Sequence, residues 1–455
     1  MGQESEPGHM HPPVTGNPWS VRSAMKSQQR TPTPIPSLLL IGCIVAAAAC
    51  GTHGNSDLTG DWEGTVVDED GTTIVRTTAG SIWGGAAQLK ELFTLDEEHH
   101  GPPLADVRGI VAARDRFYVL DVEEGALQVY DTTGLYVETI GRSGEGPGEF
   151  RRPVDLAVDP IRDRLYVRDA QLRRISVFRL DGSLVSTWNT PTIPGLLRPM
   201  VLTQDGELYV ASNLNPTAVP AEWRQGMVSC GSEGVARDTL APPETVCSEL
   251  ELTFAGTTRG AISVPVPLSP EVVWALTPQR SLVSGCSDRY SITYSLPDGG
   301  RRIVERENWD VVPLDEQEAE WHKGATTARI HLDDPGWTWS GPGIPHGKPA
   351  YLALFTDSAG RLWVLRPGPG RELVDGIQKP DNPLDYFRKP RWEDTHLLDA
   401  FDSEGRFLGQ VTLPPGMRVR PLPWIEGARL LALVEAEDGD LMVRAFRIQT
   451  PGEQR

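Results

Sequence analysis

Four of the thirteen tryptophans, Trp309, Trp321, Trp337 and Trp339, fall within residues 307–347. Exposed indoles gathered in this way can stack on sugar rings or grip a peptide. The other reading is that the stretch packs them as a small core of its own. A second group of polar side chains stands near the starts of apolar segments: Arg108, Asp155, Arg198 and Trp274, with His346 and Lys348 shortly before Tyr351. A metal site needs several oxygen or nitrogen ligands that converge, and this group offers one carboxylate. His99 and His100 follow Glu97 and Glu98 without a third ligand at a recognised spacing. His322 and His331 read as solvated. The run GRSGEGPG at 141–148 looks like a phosphate cradle, but Phe150 and Pro153 lead into a strand and not into the helix such a cradle requires. No GxSxG, HExxH or paired-carboxylate signature occurs. No catalytic residue and no metal ligand set is therefore assigned.

The chain that must position these groups has 455 residues, a formal charge of −19 and a pI of about 5.0. Nucleic-acid binding requires a basic surface, so that class is set aside, and anionic lipid would repel the body of the protein. Hydrophobic residues at 39% allow a packed core. The 46 glycines and 39 prolines suit a chain that turns often.

A repeat supplies the organisation. FYVLD at 117–121 returns as LYVRD at 165–169, and Gly134 returns as Gly182 in the same register. Each copy reads as four short strands bounded by turn residues. The turns DTTG (131–134), LDG (180–182), PDGG (297–300) and SEG (403–405) carry the glycine that a tight hairpin needs. Four-stranded units at a period of 40–50 residues are the signature of β-propeller blades. First strands fall near Ile110, Leu156, Val201, Ala275, Leu352 and Leu422. The expectation is an all-β, six-bladed propeller of four-stranded antiparallel blades. Residues 89–95 are predicted to complete the last blade and close the ring, and TTIV at 72–75 to pair nearby. Two insertions break the period, 307–347 and 367–394. The first carries acids early and helix formers throughout, which predicts a helix near 313–328.

The phrases GRSGEGPGEF (141–150), LYVRD and RISVF (174–178) resemble NHL-type six-bladed propellers. More narrowly, they resemble a bacterial family of six-bladed propeller lipoproteins without assigned activity. The N-terminus agrees. The apolar run 37–49 follows Arg22, Lys26 and Arg30, and small residues lead to Cys50. That layout resembles the bacterial lipoprotein signal, which implies acylation of Cys50. Residues 1–49 are read as the signal region, with Met25 as an alternative start, 50–70 as a tether and 71–450 as one propeller domain. The expected location is the cell envelope, exported and lipid-anchored at the outer membrane or periplasmic face, with the lipid as the only membrane contact.

Cys230, Cys247 and Cys286 remain, an odd number for an oxidising compartment. A Cys230–Cys247 disulfide is expected, with Cys286 left as a small buried hydrophobe. The function expected is protein or peptide binding, or scaffolding, by a monomer in the envelope. The candidate binding face comprises Trp309, Trp321, Trp337, Trp339, Arg108, Asp155, Arg198 and His346. The alternatives are a hydrolase or lyase at the tunnel mouth and a carbohydrate-binding surface protein. No cofactor is expected, calcium being the alternative weighed.

Overall fold

The computed structural model describes residues 60–95, 101–190, 198–214, 225–231, 234–256, 260–373, 391–436 and 439–454. The signal region, Cys50, His99, His100 and the middle of the 367–394 insertion lie outside the described residues. Among the described residues, no helix is long and apolar enough to cross a membrane.

Three strands precede the first repeat: β1 (Glu63–Glu69), β2 (Thr72–Ala79) and β3 (Gln88–Leu95). The first blade is β4 (Val107–Ala113), β5 (Arg116–Asp121), β6 (Ala126–Asp131) and β7 (Tyr136–Ile140). The second is β8 (Pro153–Asp159), β9 (Arg164–Asp169), β10 (Arg174–Phe178) and β11 (Leu184–Asn189). The third is β12 (Val201–Leu202), β13 (Leu208–Asn213), β14 (Gln225–Cys230) and β15 (Ala236–Leu240). A separate hairpin follows, β16 (Glu251–Gly256) and β17 (Gly260–Pro265). The fourth blade is β18 (Val272–Leu276), β19 (Leu282–Cys286), β20 (Ser291–Ser295) and β21 (Arg301–Arg306). Helix α1 (Glu316–Ile330) comes next, inside the predicted insertion. The fifth blade is β22 (Ala353–Thr356), β23 (Leu362–Glu372), β24 (Trp392–Phe401) and β25 (Phe407–Thr412). The sixth is β26 (Trp424–Glu426), β27 (Arg429–Glu435) and β28 (Leu441–Gln449), with β3 as its fourth strand. Six blades closed by an N-terminal strand make this a six-bladed β-propeller, as the repeat predicts.

The second strands carry almost wholly buried runs, as in RFYVLD and RLYVRD, because a blade is covered by a neighbour on both faces. The repeated phrases hold equivalent register: Tyr118 sits opposite Val129, and Tyr166 opposite Val177. The hairpin glycines take positive φ, 93° at Gly134 and 82° at Gly182. They also form a joint between blades. A Cβ on Gly182 would lie 2.9 Å from Ile140 of the first blade, and one on Gly405 would lie 2.6 Å from Val304 of the fourth.

The N-terminal segment does more than close the ring. β2 pairs in parallel with β21, extending the fourth blade, and β1 pairs beyond it. The chain then runs along the outside of the fifth blade. The Ile82, Trp83 and Ala87 amides donate to the Phe407, Leu408 and Gln410 carbonyls. β3 then enters the sixth blade. One segment thus laces three successive blades at their rims, and covers edges that would otherwise be open to strand addition.

Candidate functional site

Antiparallel order within a blade puts the first–second and third–fourth strand turns at one end. The second–third hairpins and the links to the next blade lie at the other. All three large excursions leave from that second end: residues 241–271 between β15 and β18, residues 307–352 between β21 and β22, and the extended β23–β24 hairpin. They form one cap. Leu252, Phe254, Val264, Val266, Ile330 and Trp337 make its buried core, with Trp339 packed against it. The Trp337 indole donates to the Thr253 carbonyl at 3.1 Å, and the Ala255 amide to Asp334 at 3.2 Å. Asp315 begins α1 by accepting from the Gln317 and Glu318 amides, and Glu316 and Glu318 add negative charge to the first turn.

A charged cluster joins the cap to the fifth blade. Lys348 and Glu318 are fully enclosed, with the ammonium 2.6 Å from the carboxylate. Asp394, at the start of β24, lies 3.3 Å from the same ammonium. One helical turn on from Glu318, the His322 imidazole approaches that carboxylate at 3.9 Å. Gly370 on β23 leaves the necessary room, since a Cβ there would lie 2.4 Å from the Glu318 carboxylate. Burial works to raise the Glu318 carboxyl, but His322 and Lys348 outweigh it and hold the group below its ordinary value. His396, two residues along β24 from Asp394, is pushed below its ordinary value by burial, against the pull of Asp394. Ligand atoms of Glu318, His322 and Asp394 lie within 4.8 Å of one another. His322, solvated by the sequence expectation, is instead mostly buried beside Glu318, and the cluster was not among the candidate sites. The i,i+4 spacing of Glu318 and His322 was the available signal. Asp394 and Lys348 come from other parts of the chain.

The residues singled out from sequence divide between the cap, positions on or just before the first strands of the first four blades, and the interface of the fourth and fifth blades. Trp321 and Trp337 are buried and Trp339 is half-buried, so the cap packs these indoles in place of displaying them. Trp309 lies against Tyr290, ring centroids 6.1 Å apart, with the Arg366 guanidinium 5.8 Å from its ring. His346 is exposed on the cap, its carbonyl accepting from the Leu314 amide. At the inner strands Arg108 pairs with Asp106 at 2.7 Å. Asp155 is buried, 3.4 Å from Arg168, and accepts from the Met200 amide at 2.6 Å. Burial raises its carboxyl, opposed by Arg168. The Arg198 guanidinium stacks 4.1 Å from the Trp274 ring and donates to the Trp274 carbonyl. Asp155 and Arg198 therefore share a chain of contacts through Arg168, which donates to the Arg198 carbonyl.

Several motifs resolve into architecture. Asp121 accepts from the Ala105 and Asp106 amides before its blade and from Glu123 and Glu124 in the following turn. Asp169 repeats this with Arg151, Arg152, Gln171 and Leu172. The repeated aspartate is a peg between loops. The glycine-rich run is a blade-to-blade link held by Arg174, whose guanidinium donates to the Glu145, Gly146 and Glu149 carbonyls.

The disulfide expectation is corrected. Cys247 bonds to Cys286, their Cα atoms 5.2 Å apart, and Cys230 is a buried thiol raised to about 11 by burial. Closeness in sequence favoured Cys230. The fold instead places Cys230 at the end of β14, in the core with Tyr166 and Trp188, while Cys247 lies on the β15–β16 link and meets Cys286 at the end of β19.

Fold and cap together define a six-bladed β-propeller that carries a disulfide-tied cap on one face. Residues 101–247 match the model of the family described as "6-bladed beta-propeller", DUF5128. No curated protein matches the chain. Solved structures with a similar course include a DUF4221 family member from Bacteroides vulgatus, with 11% identity, a TM-score of 0.44, and coverage of 80% of this chain and 99% of that one. Virginiamycin B lyase from Staphylococcus aureus is similar at 11% identity and a TM-score of 0.35, over 79% of this chain and 99% of that one. The RRP9 WD40 repeats are similar at 9% identity and a TM-score of 0.41, over 79% and 100%.

Proposed function

We propose that this protein is a lipid-anchored, extracytoplasmic propeller that binds a protein or peptide partner in the cell envelope through its capped face. The observation that carries this reading is the placement of all three excursions on one end of the ring. A rigid ring with elaborated loops at one end makes a recognition face, and function on such folds resides in what is grafted there. The cap's outer residues suit contact: Val311 and Leu332 are each 53% exposed. Exposed acidic side chains lie on the same excursion, Asp310 next to Val311 and Asp315, Glu316 and Glu320 at the start of α1. A partner segment with basic and apolar residues fits that surface by charge complementarity. The Cys247–Cys286 bond supports export, since structural disulfides persist in oxidising compartments. The expected anchor is Cys50.

Photo-crosslinking tests the face. A crosslinking residue at Val311 or Leu332 should give defined envelope-protein adducts, and one at Ile161, in the β8–β9 turn at the opposite end, should not. Equal adducts from both ends, or none from the cap, would refute the assignment. Replacing Cys50 with serine should release the protein from membranes; unchanged partitioning would remove the lipid anchor.

A further inference from the structure

We infer that Glu318, His322 and Asp394 form a binding site for a first-row divalent cation of the zinc type, at the seam between α1 and the β23–β24 hairpin. Four observations carry this. The donors are set by regular structure: Glu318 and His322 are one turn apart on a helix, and Asp394 stands on the strand facing it. Their ligand atoms already lie within 4.8 Å of one another. Tetrahedral zinc with bonds near 2.0–2.1 Å requires donors about 3.4 Å apart, so shifts of roughly 1 Å complete the geometry. The third observation is an unmet need. His322 Nε2 is shielded from water and has no hydrogen-bond partner, since 3.9 Å to Glu318 exceeds hydrogen-bond range. The fourth is the charge balance. Two carboxylates face one ammonium: Lys348 balances the buried Glu318, and the exposed Asp394 adds a surplus negative charge at the solvent edge of the cluster.

Lys348 has a definite part in the site. It contacts Glu318 through Oε1 and Asp394 through Oδ1, and each carboxylate has a second oxygen. Ligating carboxylates are commonly oriented by a hydrogen-bond donor behind them, and the ammonium is placed to do this for both. His396 shares a face of β24 with Asp394, so it stands beside the site. The mixed nitrogen and oxygen donor set selects zinc or a similar first-row ion over calcium, which takes six to eight oxygens. A bound ion would pin the cap helix to the fifth blade.

Equilibrium dialysis of the full chain against zinc chloride, with metal and protein counted, tests the site. The wild-type protein is expected to hold one equivalent more than His322→Ala or Asp394→Asn, whose affinity falls at least tenfold. His331→Ala, on a histidine whose ring bonds the Trp337 carbonyl, should bind as wild type. Cobalt(II) substitution should give visible ligand-field absorption that His322→Ala lacks. Near-ultraviolet circular dichroism establishes that each variant is folded. Uptake that is identical in wild type and His322→Ala, or no uptake at one equivalent, overturns the proposal.

Discussion

Replacing Asp399 with alanine should be among the most damaging single changes in the ring. Asp399 is fully buried on β24 and accepts from four side chains: Arg306 at 2.6 Å, Tyr290 at 2.9 Å, Gln410 at 3.0 Å and Arg366 at 3.4 Å. Arg306 and Tyr290 belong to the fourth blade, and Arg366, Gln410 and Asp399 to the fifth, so this node clamps two blades together. Two guanidiniums share the one carboxylate. Removing it leaves Arg366, which is 4% exposed, and much of Arg306 without a counter-charge. Breaking a buried ion pair from one side costs about 3–5 kcal/mol. The stranded Tyr290 hydroxyl, whose ionisation is already pushed well up by burial, adds to the penalty without being additive. With an unfolding entropy of ~2.1 cal/mol/K per residue over roughly 390 residues, each kcal/mol moves the melting point by about 1.2 °C, so a fall of ~4–6 °C is expected. Arg366→Met should cost less, because Arg306 still pairs with Asp399. Differential scanning calorimetry of both variants at pH 7 and fixed scan rate gives the comparison. If Arg366→Met melts at or below Asp399→Ala, the clamp has been read incorrectly.

Two other perturbations probe the ring and its cap. Peptide mapping without reductant should find Cys247 joined to Cys286, and Cys230 should resist alkylation until the chain is denatured; a 230–247 linkage would contradict the structure. Removing the native bond through Cys247→Ser should cost about 3–4 kcal/mol by loop entropy, for a sequence separation of 39. Gly182→Ala should destabilise more than Gly299→Ala. Both sites have positive φ, a burden of about 1 kcal/mol for alanine, but a new Cβ meets Ile140 at Gly182 and nothing within 4 Å at Gly299. Equal urea midpoints for the two would show that the turn does not abut the neighbouring blade.

The blades were legible because their signals are local. Strand runs such as 117–121 and the glycine of each hairpin concern residues a few positions apart, and repetition confirmed each one. The closing strand was legible for a related reason: the last module lacked a partner, and the 89–95 segment had none of its own. The third and fourth blades were harder to read. β12 has only two residues, and the β16–β17 hairpin adds apolar strands that belong to no blade. The parallel pairing of β2 with β21 exceeded the expectation of a nearby partner, because edge pairing leaves no periodic mark in the sequence.

The polar side chains were read least well. Asp121 and Asp169 repeat because backbone amides repeat around them, and the sequence showed their equivalence without their role. Trp321 and Trp337 could equally have been exposed, since hydrophobicity does not say which surface will cover a side chain. The choice between Cys230 and Cys286, and the meeting of Glu318 and His322 with Lys348 and Asp394, were decided only in three dimensions. By itself the sequence determined the number of blades and their four-stranded form, because turns and strands are set by neighbouring residues and a blade buries its surface only against another like it. Tertiary structure alone decided which distant charges meet, because those encounters depend on how far each excursion folds back over the ring.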